Sequence, residues 1–205
     1  MLSPRKLLAA LLFSALLAIP SSASASDSGS ALETFKARHT AVVKLVRDKA
    51  PDEALQREVD KLLNYRVLAE KSLGGAKHYA QRCQPWCSEF ELALTELIRR
   101  NYLNRIRTDK SYEIEYVGEE VKEKFTKVIT RVKYTSSGRP MELEAVYKMA
   151  KNSAGEWMAI DIVTDGVSLK RTYMQEFKRS YEQGGMDLVI AQLQRKLSEL
   201  GVRKQ

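Results

Sequence analysis

Few residues in this 205-residue chain have types and spacing that could do chemistry. Cys83 and Cys87 flank Gln84-Pro85-Trp86, and they are the only cysteines. In an oxidising compartment they read as a disulfide, with Pro85 favouring a turn that brings the sulfurs together. A metal site needs further ligands, and the chain holds only two histidines, His39 and His78. Free thiols remain the other reading, and His78, five residues before Cys83, is the one histidine nearby in sequence. Asp161 and Asp165 form a candidate carboxylate pair at a strand end, with turn capping as the simpler role. His39 falls on an apolar helical stripe and reads as a buried, hydrogen-bonded core histidine. The basic pairs Lys170-Arg171, Lys178-Arg179 and Arg195-Lys196 read as solvated helix faces. There is no Gly-x-Ser-x-Gly elbow, no phosphate-cradling glycine loop and no His-Glu-x-x-His.

The elements that would position these groups begin after a leader. Arg5 and Lys6 precede an apolar run over 7–19, and Ala23-Ser24-Ala25 offers the small residues a signal peptidase reads. A secretory leader is expected over 1–25, with cleavage before Ser26. The run is shorter than the ~20 residues of a spanning helix, no later segment is long and apolar enough to span, and no cysteine follows closely to take a lipid anchor. Residues 26–205 are expected to form one soluble domain in the periplasm. The chain's formal charge is +8, of which Arg5 and Lys6 contribute two, leaving +6. That balance suits anionic lipid or an acidic partner; export argues against nucleic acid.

Hydrophobic periodicity is helical first. Ser30 and Glu33 make a capping box ahead of a stripe of Leu32, Phe35, His39, Val42 and Val46. Pro51 restarts a helix faced by Leu55, Val59, Leu62 and Leu63, and a shorter piece over 68–73 stops at Gly74-Gly75. Ser88 and Glu91 suggest a second box, opening a helix that turns Phe90, Leu94, Leu97, Ile98 and Tyr102 inward, with Arg99, Arg100, Arg105 and Arg107 mostly outside. The period then becomes two. Tyr112, Ile114 and Tyr116 alternate with glutamates. Val128, Val132 and Tyr134 alternate with basic residues, and Met141, Leu143, Ala145, Tyr147 and Met149 follow with the same period. A fourth strand is expected over 157–163. Hairpin-like connections at 136–138 and 152–155 make the sheet antiparallel. Two helices, over 168–183 and 186–200, end the chain around Gly184-Gly185. The expected class is α+β, a curved antiparallel sheet covered by N- and C-terminal helices, with an apolar cavity between.

The segment from Trp157 onward carries a family resemblance. Trp157, Asp161, Asp165-Gly166-Val167-Ser168-Leu169, Tyr173, Phe177, Gly184 or Gly185, Leu188 and Leu193 follow the C-terminal pattern of the MlaC, or toluene-tolerance auxiliary, family. Leu73-Gly74 and the helix with Phe90, Leu97 and Tyr102 resemble it too. The chain departs from the pattern at Thr172 and Met174, where Asn and Arg are frequent, and in the Cys83–Cys87 loop. The resemblance implies an NTF2-like cone that catalyses nothing, needs no cofactor or metal, and holds glycerophospholipid as cargo. It also implies partners: an outer-membrane lipoprotein complex, and an inner-membrane complex of an MCE-domain protein with an ABC transporter. Such a shuttle would maintain outer-membrane lipid asymmetry. Exposing two acyl chains of roughly 30 CH₂ groups would cost on the order of 20 kcal/mol, at about 0.8 kcal/mol each, so a carrier must enclose them. Candidate lining residues are Leu97, Ile98 and Tyr102 on the long helix, Tyr147 and Val163 on the sheet, and Val167, Leu169, Tyr173 and Phe177 beyond it. Ordinary core packing is the alternative for each. An NTF2-like enzyme would need a buried acid or base, for which Asp161, Asp165 and His39 are the candidates. An interaction module docking through its basic face is the third reading.

Overall fold

A computed structural model describes residues 29–107 and 112–202. The leader expected over 1–25 lies outside the described residues. Those residues form six helices and one five-stranded sheet, and all strand neighbours are consecutive and antiparallel. The expected α+β order of helices, meander and helix is therefore what the chain adopts.

Helix α1 (Ala31–Arg47) opens on the expected capping box, with the Ser30 hydroxyl and the Glu33 carboxylate each accepting from the other's backbone N–H. Its inner stripe includes Phe35, His39 and Val42. α2 (Asp52–Asp60) and α3 (Tyr65–Ser72) follow, then α4 (Ala76–Arg82), a short helix not expected from the sequence. Cys83 and Cys87 are joined in a disulfide between α4 and α5 (Cys87–Ile106).

The second expected capping box does not form. α5 begins at Cys87, so Ser88 already lies inside its first turn, and Trp86 at the N-cap makes no side-chain cap. Glu91 is drawn instead to Arg66 and the Tyr79 hydroxyl. Arg99, expected outside, is mostly buried and grips Asp60 with two bonds of 2.9 Å.

The sheet comprises β1 (Tyr112–Val121), β2 (Thr126–Ser136), β3 (Arg139–Lys151), β4 (Trp157–Thr164) and β5 (Val167–Ser168). Register places Val128 opposite Tyr147, Thr130 opposite Ala145, Val132 opposite Leu143 and Tyr134 opposite Met141. These pairs share the inner face, as alternation requires. A β-bulge at Ile160 changes the phase of β4: Ala159 pairs with Met149, but beyond the bulge Ile162 pairs with Tyr147. One extra residue moves the following side chains to the other face. Ile162 and Thr164 therefore point inward, and Val163, expected inside, does not share the Tyr147 face.

Asp165 (φ 46°) and Gly166 (φ 80°) make the tight turn from β4 into β5. α6 (Leu169–Val202) consists of two helical runs meeting at Gly184 and Gly185, where Gly185 has φ 64°. The two expected helices and their glycine break are thus present. α6 packs on α5 and α3, while α1 crosses β1, β2 and β4.

Candidate functional site

Along the inner face of the sheet, burial falls steadily from one end to the other. Val128, Met149 and Ala159 are completely buried, Ala145 and Tyr147 nearly so, and Met141 beside the β2–β3 turn is 45 % exposed. The helices therefore close on the sheet at one end and stand off it at the other. Between them lies a cavity of about 720 Å³.

Its wall is mainly apolar and aromatic. α5 contributes Ile98, Tyr102 and Ile106; the sheet contributes Tyr112, Ile114, Val132, Tyr134, Leu143, Ala145, Tyr147 and Ile162; β5 and α6 contribute Val167, Leu169 and Tyr173. Among the nine residues expected to line a cavity, Ile98, Tyr102, Tyr147, Val167, Leu169 and Tyr173 meet on this wall. Leu97, Val163 and Phe177 are not on it. Leu97 is buried in the packed core, and Phe177 is enclosed between Tyr173, stacked at 5.5 Å, and Phe90, edge-on at 5.6 Å. Val163 is turned away by the Ile160 bulge. Val167 sits at the open end and is 64 % exposed.

Polar groups on the wall are few and mostly committed. His39 is stacked on Phe35 and shares a 2.9 Å hydrogen bond between its Nδ1 and the Tyr116 hydroxyl. Burial lowers its pKa to about 4, so the ring is neutral at neutral pH. It is both the core histidine expected from the stripe and part of the cavity wall. Burial also pushes the phenols of Tyr147 and Tyr173 up to about 12. The Tyr102 hydroxyl is buried without a hydrogen-bond partner. Glu176 is paired with Lys196 at 3.1 Å. Asn101, Arg105, Thr130, Thr164 and Thr172 complete the wall.

The two candidate carboxylates are not a catalytic pair. The Asp161 side chain is fully buried and accepts from the Ser168 hydroxyl at 2.8 and 3.0 Å, the Lys170 N–H at 3.1 Å and the Lys148 ammonium at 3.1 Å. The Ser168 oxygen in turn accepts from the Arg171 N–H, so together they cap α6. Asp165 accepts from the Glu144 N–H instead, holding the turn against β3. Trp157 donates its indole N–H to the Gly29 carbonyl and ties β4 to the start of α1. The spaced Trp, Asp and Ser of the C-terminal pattern are thus a scaffold that delivers Leu169 and Tyr173 to the cavity.

Several wall residues were already on the alternating faces read from sequence, including Ile114, Val132 and Leu143. Nothing in periodicity marked them as cavity rather than core. Glu176 and Lys196 carry no such signal, since they lie twenty residues apart on two helical runs.

An α+β scaffold whose helices stand off one end of an antiparallel sheet, enclosing a largely apolar cavity, is the architecture of a ligand-binding protein rather than of a closed structural core. The family model described as "MlaC protein" matches residues 38–195. The chain belongs to the MlaC family. Among solved structures, it is similar to the phospholipid-binding protein from Ralstonia solanacearum, determined in complex with a phospholipid. That similarity has a TM-score of 0.66 and 18 % identity, and covers 84 % of this chain and 99 % of that one. No curated protein matches the chain. Among the described residues, no helix is long and apolar enough to cross a membrane, and no group of three or more His, Cys, Asp or Glu side chains is placed to hold a metal.

Proposed function

We propose that this protein carries a glycerophospholipid with its acyl chains in the cavity and its headgroup at the open end. The observation that carries this reading is the gradient of the inner sheet face, from a sealed floor at Val128 and Met149 to an open rim at Met141 and Val167. Such a shape removes acyl chains from water, worth about 0.8 kcal/mol per CH₂, and leaves a polar group outside. Membership of the MlaC family and the phospholipid-binding neighbour support the same ligand.

In the cell, the protein works in the periplasm, once the leader over 1–25 is removed, as one lipid-binding domain over 26–205. It shuttles phospholipid between an outer-membrane lipoprotein complex and an inner-membrane MCE-domain protein with its ABC transporter, and so maintains outer-membrane asymmetry. It acts as a carrier and not as an enzyme, with the lipid as cargo and no cofactor. His39 is held by Tyr116, and Glu176 by Lys196, so both are engaged in structural roles. The test is transfer of a labelled phospholipid from donor to acceptor vesicles. Added protein should accelerate transfer in proportion to its concentration; transfer no faster than the vesicles' own exchange counts against the shuttle.

A further inference from the structure

The charges on the cavity wall do not cancel. Glu176 and Lys196 neutralise one another, and His39 is neutral above its lowered pKa. Arg105 remains, exposed and lining the cavity, with no hydrogen bond or ion pair among the described residues. Its neighbours on α5 differ. Arg99 is held by Asp60 and Glu96, Arg100 by Glu96, and Arg107 by Asp52. Of these four arginines, the one that reaches the cavity is the one left without a carboxylate. Its positive charge is felt at the phenols of Tyr147 and Tyr173, inside the cavity. One turn earlier on the same helix, the Tyr102 hydroxyl is buried without a hydrogen-bond partner, close to Tyr147.

On the carrier reading above, we infer that Arg105 binds the phosphodiester of the cargo lipid, and that the Tyr102 hydroxyl donates to an oxygen nearer the acyl chains. A guanidinium offers up to five donors in a planar fork that fits two phosphate oxygens. One unpaired positive charge matches the single negative charge of a phosphodiester. A buried phenol without a partner carries a desolvation cost that a lipid ester carbonyl would offset. Arg105 thus selects phospholipid over the same acyl chains on a neutral glycerol, and sets how deep the chains sit.

The test compares dioleoylphosphatidylglycerol with dioleoylglycerol, each offered to delipidated protein and scored by native mass spectrometry. Wild type should favour the phospholipid by about tenfold or more. Arg105→Gln should lose that preference while its diacylglycerol binding stays unchanged, and Arg105→Lys should keep part of it. Lys77→Gln, at an exposed site on α4, is the control for net charge and should behave as wild type. Circular dichroism should be the same for all four, since both substituted positions are exposed. If Arg105→Gln keeps the wild-type preference, Arg105 is a solvated helix-end cation and the inference fails while the carrier reading stands. If wild type takes up neither lipid, the carrier reading fails and this inference with it. Inorganic phosphate alone should leave the Arg105 side-chain resonance unmoved; a shift without lipid marks a general anion site and overturns the lipid assignment.

Discussion

Val128 and Val132 are the same residue type on the same strand and the same face, two inner positions apart. Val128 is completely buried against the floor, whereas Val132 is half-buried and lines the cavity. Replacing each with aspartate separates core from cavity. At Val128 the carboxylate has no water and no partner, and an unpaired buried charge costs several kcal/mol. Val128→Asp should lose about 4 kcal/mol or more and melt without a cooperative transition near ambient temperature. At Val132 the cavity admits water to solvate the charge once lipid has left, so the main cost is reduced strand propensity, about 1 kcal/mol. The hydrated carboxylate would, however, exclude about four methylenes of an acyl chain, at about 0.8 kcal/mol each. That is about 3 kcal/mol, or about a hundredfold in lipid affinity. Urea denaturation followed by circular dichroism gives the stability, and phosphorus content per protein gives the cargo. Val132→Asp should fold and come out nearly lipid-free. If it unfolds as Val128→Asp does, the wall is packed core; if it folds with full cargo, the acyl chains lie elsewhere.

Three further outcomes follow from the same geometry. Asp161→Ala leaves the Ser168 hydroxyl, the Lys170 N–H and the Lys148 ammonium unanswered and should cost about 3 kcal/mol in urea denaturation; Ser168→Ala should cost about 1 kcal/mol, as a lost cap does. His39 has a folded pKa of about 4 against an ordinary 6.5, so between these values the unfolded chain binds the extra proton. Its contribution is therefore complete above pH 6.5 and falls as pH drops toward 4, by up to about 1.4 kcal/mol per pH unit; urea midpoints at pH 7 and pH 5 should differ, and His39→Gln should flatten that difference. The Cys83–Cys87 disulfide closes only a very small loop, so its reduction by dithiothreitol should lower stability by about 2 kcal/mol; a loss of all cooperative folding would contradict that loop-entropy account.

Much of this fold was legible from period alone. The stripe of α1, the inner alternation of β1 to β3 and the glycine break in α6 each follow from where apolar residues recur. The phase of β4 was not legible, because the bulge at Ile160 depends on how β4 meets β3 and leaves no mark in an apolar run. The start of α5 was misplaced by two residues because a Ser-x-x-Glu spacing competes with the disulfide and with Arg66 for the same groups. In the site, Leu97 and Ile98 are adjacent, equally apolar and both buried, yet Ile98 lines the cavity and Leu97 does not. Whether helices close on a sheet or stand off it is a property of their mutual placement, which no local pattern encodes. The unpaired state of Arg105 is of the same kind, since it depends on where Asp52, Asp60 and Glu96 fall in space.

The central claim is that the cavity holds a phospholipid, and native mass spectrometry of protein purified from cells without detergent tests it most directly. The spectrum should show an added mass that dissociates as an intact glycerophospholipid, one per protein, together with a polypeptide mass that begins at Ser26. Protein that emerges at the bare polypeptide mass, and stays bare after incubation with phospholipid vesicles, contradicts it.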